Sequence, residues 1–235
     1  MSKQWKKIKL WFKMAILLPA AYISAVRVRK KDFALRYEVA KIWAFTVLRF
    51  TNTKLKVEGL ENLPKQGGNL LVANHQGSLD AFIMFGALDV PFSAVGKVEG
   101  KKIPILGKWY SVMEMIYFDR DSIKDSLRMV KEAAECLKNG RNLLIFPEGT
   151  RSKSDIIGEL KAGALKPAYI AQKPIIPIAL IDAYKVLDAP GGNRFTVIVR
   201  IGKAMQYDEF AAQSTQMTME IVKNRIQQLM DKKEG

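Results

Sequence analysis

The sequence predicts an α/β fold, a sheet covered by helices, with a two-helix amphipathic segment ahead of it. From residue 51 onward, short apolar runs of strand length alternate with helix-patterned runs. The first fifty residues instead repeat their apolar side chains at helical spacing. Gly67-Gly68, Gly140 and Gly191-Gly192 separate the later elements. At 235 residues and 49% hydrophobic the chain can bury one sizeable core. The expected division is therefore a helical hairpin at 1–50 and an α/β domain at 51–235.

In the hairpin, Trp5, Ile8, Trp11/Phe12, Ala15 and Ile16 form one apolar face, and Phe33, Tyr37, Ala40, Trp43/Ala44, Val47 and Phe50 form another. Pro19 and the basic stretch Arg27 to Lys31 are expected to divide the two helices. The apolar run Met14 to Val26 falls short of the ~20 residues a helix needs to cross a bilayer. No clear small-x-small cleavage site follows it, and basic residues continue beyond, which argues against a secretory signal. The formal charge is +15, and residues 1 to 31 hold nine Lys and Arg with no acid. Trp5, Trp11 and Trp43 lie among or near these cations, the composition of a helix lying at the headgroup level. Each cation near an anionic surface adds about 1 kcal/mol. The expectation is a monotopic hairpin in one leaflet, peripheral on the cytoplasmic face of the cell membrane. The same faces also allow both helices to pack on the globular domain as ordinary core. A nucleic-acid arm needs no such aliphatic surface, so no nucleic-acid partner is expected.

The expected strands are Leu55–Val57, Leu70–Ala73, Phe92–Val95, Met115–Phe118, Leu143–Phe146, Ile175–Leu180 and Phe195–Ile201. The expected helices cover Leu79–Leu88, Ile103–Val112, Ile123–Leu137, Ala164–Ala171 and Met217–Met230. Cys136 is the only cysteine and falls within a helical pattern, where a small core side chain needs no further role. His75 is the only histidine. One His and one Cys cannot assemble the usual Cys/His zinc sites, so no metal is assigned, although carboxylates leave a hard-cation site open.

Sites in open α/β sheets gather where strands end, which directs attention to three exits. The first is Leu70 to Asp80, where an apolar run stops at Asn74-His75. Gly77 permits a turn, and Ser78 is expected to cap the following helix, placing Asp80 in its first turn, within reach of the imidazole. A carboxylate that fixes the tautomer leaves the other ring nitrogen free to take a hydroxyl proton. A structural histidine beside an incidental capping Asp fits this motif equally well when it is read alone. The second exit, Phe146 to Ser152, brings Glu148 and Arg151 to one Gly turn; a surface ion pair is its plain alternative. The third supplies Lys97 and Arg120, so with Arg151 three cations are available for one phosphate. No P-loop and no G-x-G-x-x-G is present.

Together these blocks resemble the glycerolipid acyltransferase family, most closely its bacterial 1-acyl-glycerol-3-phosphate branch. The His-x4-Asp block reads Asn74-His75-Gln76-Gly77-Ser78-Leu79-Asp80. The second reads Gly96-Lys97-Val98-Glu99, Pro104, Gly107 and Phe118-Asp119-Arg120. The third is Phe146 to Ser152, and the fourth is Ile176-Pro177-Ile178. Gly100 stands where the family often has Leu, and Glu114 where a Gly is common, departures that bear on the shape of the acyl groove.

The resemblance implies a single mixed sheet covered by helices, no cofactor and no acyl-enzyme. It makes His75 the catalytic base and Asp80 its partner, and makes Glu148 a ligand of the acceptor's glycerol portion. Lys97, Arg120 and Arg151 become the phosphate site, with Gly149 and Thr150 in the same substrate-binding turn. The implied partners are lysophosphatidic acid and a thioester of acyl carrier protein or coenzyme A. Backbone N–H groups of Gln76 to Ser78 are expected to hold the oxyanion. Glycerol-3-phosphate or another lysophospholipid as acceptor is the neighbouring alternative, and a non-catalytic basic adaptor for membranes or nucleic acid the remote one.

Overall fold

The computed structural model describes residues 17–188 and 195–232. The apolar face expected from Trp5 to Ile16 lies outside them. In the described part, the strand-length runs form one sheet: β1 (Thr53–Glu58), β2 (Leu70–Ala73), β3 (Phe92–Lys97), β4 (Ile116–Phe118), β5 (Asn142–Ile145), β6 (Ile175–Ile181) and β7 (Phe195–Ile201). Their order across the sheet is β1-β7-β6-β2-β5-β3-β4. All neighbours run parallel except the antiparallel pair β6 and β7, so the sheet is mixed.

Alternation along each strand sorts side chains into two cores. Leu71, Ala73, Leu144 and Ile176 face a layer that contains Tyr37, Ile83, Met84 and Val112. Those residues come from α2 (Phe33–Phe50), α3 (Asp80–Ala87) and α4 (Pro104–Val112). Leu70, Val72, Leu143 and Ile175 face the opposite layer, with Met129, Leu137, Ala168 and Val222. These belong to α5 (Ile123–Lys138), α6 (Lys166–Ala171) and α9 (Thr215–Asp231). Each expected strand and helix of the domain overlaps an observed one. The short helices α7 (Lys185–Asp188) and α8 (Tyr207–Phe210) were not anticipated, because four residues are too few to show a helical period.

At the N-terminus, helix α1 occupies 17–28 and passes through Pro19, so the break between helices falls only at 29–32. Asp32 caps α2, its Oδ1 accepting the Leu35 N–H at 2.9 Å. The inner face of α2 is core. Tyr37 is fully buried, donates its O–H to Leu88 O at 3.0 Å and packs its ring edge-on to Phe92. Burial raises its phenol well above the ordinary tyrosine range. Leu48 of α2 and Leu55 of β1 both close on Gly86 of α3, so packing is continuous across residue 50. The outer face of α2 nonetheless carries exposed Leu35, Ile42 and Phe45 in one stripe, with Tyr22 and Ile23 exposed on α1. No helix among the described residues is long and apolar enough to cross a membrane.

Both departures from the family pattern have a physical account. A side chain at Gly100 would place its Cβ 2.6 Å from Tyr110 Cε2, so the tyrosine ring already fills that space. Glu114 adopts φ 52°, a left-handed conformation usually left to glycine. Its carboxylate holds Arg36 of α2 at 2.6 Å and Arg141 at 3.1 Å, contacts that a glycine there could not make. Glu114 thereby ties the N-terminal helices to the sheet.

Candidate active site

The C-terminal ends of β2, β3, β4, β5 and β6 reach the same edge of the sheet, since these strands are mutually parallel. That edge collects the residues singled out in the sequence. His75 follows β2, Arg120 follows β4, Phe146 follows β5 and Lys97 closes β3.

After β2 the chain makes a tight turn and enters α3 at Asp80. A side chain at Gly77 would place its Cβ 3.1 Å from Ala183 O and 3.3 Å from the Tyr184 Cα, so glycine gives the turn clearance. Asp80 is completely buried. Its Oδ2 accepts hydrogen bonds from His75 Nδ1 at 2.7 Å and from the backbone N–H of Gln76 at 2.6 Å, and Gly77 N–H also donates at 2.9 Å. A carboxylate can only accept here, so Nδ1 carries a proton, and in the neutral ring Nε2 is the nitrogen with the lone pair. The His75 side chain remains 21% exposed, and its ring stacks on Phe146 with centroids 4.4 Å apart. One nitrogen is thus committed to a buried anion and the other is available at the rim.

Two local expectations are corrected. Ser78 does not cap α3, whose N-cap is Leu79 with no side-chain bond; its hydroxyl accepts from Arg151 Nη1 instead. The N–H groups of Gln76 and Gly77 are committed to Asp80, so they are not free for an oxyanion, which leaves only Ser78 N–H from that turn.

The turn after β5 braces this arrangement. Glu148 is buried, with Oε1 accepting the His75 N–H at 2.7 Å and Oε2 accepting the Gly158 N–H at 3.0 Å. Desolvation raises its pKa above the ordinary carboxylate value, partly countered by those two backbone bonds. Glu148 therefore bonds the backbone just after β2, a role that the expectation of a glycerol ligand did not include. Ser152 N–H donates to His75 O at 2.8 Å and Lys153 N–H to Gln76 O at 3.1 Å, so the two turns are bonded along both edges. Sequence reasoning also missed Asn74 and Gln76. Asn74 grips β6 through both backbone groups of Leu180, and Gln76 accepts the Ala183 N–H at 2.8 Å and donates to Asp155. Their signal was present as polar residues placed at the end of an all-buried strand.

The cations spread along the rim. Arg151 is exposed and rests on Ser78; Thr150 is exposed beside it. Arg120 places its guanidinium carbon 3.9 Å from the point a Gly149 Cβ would occupy. Lys97 lies opposite Phe118 in the β3–β4 ladder, with Nζ 2.7 Å from Glu99. Burial pushes the Cys136 thiol up to about 11, which suppresses the reactive thiolate.

Comparison with known proteins agrees with this architecture. The crystal structure of the 1-acyl-sn-glycerophosphate (LPA) acyltransferase PlsC from Thermotoga maritima superposes with a TM-score of 0.77 over 98% of each chain, at 21% identity, a likeness of fold. A 1-acyl-sn-glycerol-3-phosphate acyltransferase of Pseudomonas aeruginosa is 34% identical over 167 residues, 70% of this chain and 63% of that protein. A chloroplastic 1-acyl-sn-glycerol-3-phosphate acyltransferase of Arabidopsis thaliana is 33% identical over 150 residues, 63% of this chain and 42% of that one. The chain thus spans about half the length of the curated relatives it matches. The Acyltransferase family model matches residues 54–181, from β1 to the last residue of β6, and so takes in every strand end described above. On that match the chain belongs to the acyltransferase family.

Proposed function

We propose that this protein transfers a fatty acyl group from an acyl thioester to the sn-2 hydroxyl of 1-acyl-glycerol-3-phosphate, giving phosphatidic acid and a free thiol. The observation that supports this reading is the partly exposed His75 ring, its Nδ1 held by a buried Asp80, at a rim that also carries Arg151 on Ser78 and Arg120 beside Gly149. His75 Nε2 takes the hydroxyl proton as the oxygen attacks the thioester carbonyl. The tetrahedral intermediate collapses, the C–S bond breaks, and the imidazolium returns the proton to the departing thiolate. Asp80 stabilises the imidazolium meanwhile, and Ser78 N–H is the donor left to the oxyanion. No acyl-enzyme is required. The donor is acyl carrier protein or coenzyme A; both present the same thioester to this base.

The reading is tested by following thiol release with lysophosphatidate in detergent micelles. Wild-type protein should release thiol only when acceptor is present. Arg151→Ala should raise the lysophosphatidate KM by about tenfold, with a smaller effect on kcat, because a charge-assisted contact to phosphate is lost. Equal losses with monoacylglycerol, which has no phosphate, would remove Arg151 from the phosphate site.

We further infer that the outer stripe of α2 meets the membrane surface of one leaflet, on the cytoplasmic face. The exposed Ile42 and Phe45, and the nine cations among residues 1 to 31, support it. The double substitution Ile42→Glu, Phe45→Glu should weaken sedimentation with anionic phosphatidylglycerol vesicles by about tenfold, since apolar burial at the interface is removed. Turnover of micellar acceptor should hold. Unchanged vesicle binding would reject the assignment.

A further inference from the structure

The turn at Gly149 has a second cation that the sequence did not single out. Lys161 Nζ lies 3.8 Å from the position a Gly149 Cβ would take, and the Arg120 guanidinium carbon lies 3.9 Å from the same point. Gly149 has φ 69°, so the backbone is left-handed there and no side chain stands between the two groups. The Lys161 N–H donates to Pro147 O at 3.0 Å, which fixes the lysine across the turn that carries Glu148. Neither cation has a carboxylate partner among the described residues, and Arg120 Nε is buried without any hydrogen-bond acceptor. Lys97, by contrast, already holds Glu99, and Arg128 holds both Asp125 and Glu132.

Two like charges facing one small space repel each other. A single anion between them turns that repulsion into attraction. A phosphate monoester carries close to two negative charges above its second pKa of about 6, whereas a phosphodiester carries one. We propose that Lys161 and Arg120 form the seat of a doubly charged phosphate monoester, and that Lys161 gives the site its preference for such acceptors over phosphodiester lysophospholipids. The inference rests on the acyltransferase reading above and adds to it a residue and a selectivity.

Lys161 is exposed, so Lys161→Met should fold normally. Thiol release is measured with lysophosphatidate and with lysophosphatidylglycerol, a phosphodiester, for wild type, Lys161→Met, Lys161→Arg and Lys138→Met. Lys138 ends α5 just before β5 begins, at the opposite end of that strand from its exit, is paired with Glu135, and serves as the charge-matched control. Lys161→Met should lower the monoester-to-diester ratio of kcat/KM by about tenfold, through KM for lysophosphatidate, with kcat within about twofold. Lys161→Arg should keep most of the ratio, and Lys138→Met all of it. An unchanged ratio in Lys161→Met overturns the proposal. Calorimetric titration of inorganic phosphate separates this failure from failure of the acyltransferase reading. Should wild type turn over neither acceptor, that reading falls, and phosphate affinity alone then decides the seat: weaker in Lys161→Met upholds it, equal overturns it.

Discussion

His75→Ala should lower kcat by about a thousandfold or more, with little change in the lysophosphatidate KM or in thermal stability, as expected for loss of a general base. The ring is partly exposed and contributes a stack on Phe146 and one hydrogen bond to Asp80, whose carboxylate keeps the Gln76 and Gly77 N–H groups, so its removal opens no sealed cavity and leaves that buried anion still bonded. The main-chain bonds that define the turn do not involve the ring: His75 N–H to Glu148 and Ser152 N–H to His75 O survive the substitution. In the proposed site the acceptor's phosphate is held by Arg151, Arg120 and Lys161 rather than by the imidazole, which is why KM is expected to hold. Steady-state thiol release and a melting curve on the same preparation provide the check. Turnover within about tenfold of wild type would remove His75 from the proton transfer.

The strands and the larger helices were legible because their apolar periods are long and their ends carry glycine or charge. β2 and β5, buried on both faces, read as unbroken apolar runs, and the polar residues that stop them mark the rim. The His75–Asp80 contact was also legible, since Gly77 provides the turn that a five-residue separation needs. The bracing was not. Glu148 reaches the backbone of a residue 73 positions earlier, and Asn74 the backbone of one 106 positions later, contacts that no local pattern encodes. For the same reason the oxyanion expectation went to N–H groups already held by Asp80. Lys161 was missed because it belongs to no charged cluster in the sequence; only the fold of the Phe146–Ser152 turn brings it to Gly149. The N-terminal helices show how one apolar pattern supports two uses. The inner face of α2 packs as core and its outer stripe stays exposed, a distinction set by the tertiary partner rather than by the helical period.

Asp80→Asn should cost both activity and stability, and the joint loss is what separates a catalytic partner from a simple helix cap. In the native site, three N–H groups converge on this carboxylate, from His75, Gln76 and Gly77. Asparagine offers one acceptor oxygen and an NH2 that itself donates, so at least one of those buried donors loses its partner, at about 1–3 kcal/mol. An amide turned so that its oxygen takes the Gly77 N–H puts its NH2 where Oδ2 now serves both His75 Nδ1 and the Gln76 N–H, which strands Gln76 and favours the tautomer with its proton on Nε2. That tautomer has no lone pair to offer the acceptor hydroxyl. The expected fall in kcat is about 10³- to 10⁴-fold, measured per folded molecule, accompanied by a lower melting temperature. A cap alone would lower stability while leaving kcat within about tenfold, and that outcome would break the pairing of Asp80 with His75. The double variant His75→Ala, Asp80→Asn should then be no slower than His75→Ala, because a carboxylate that acts only through the imidazole has nothing left to orient.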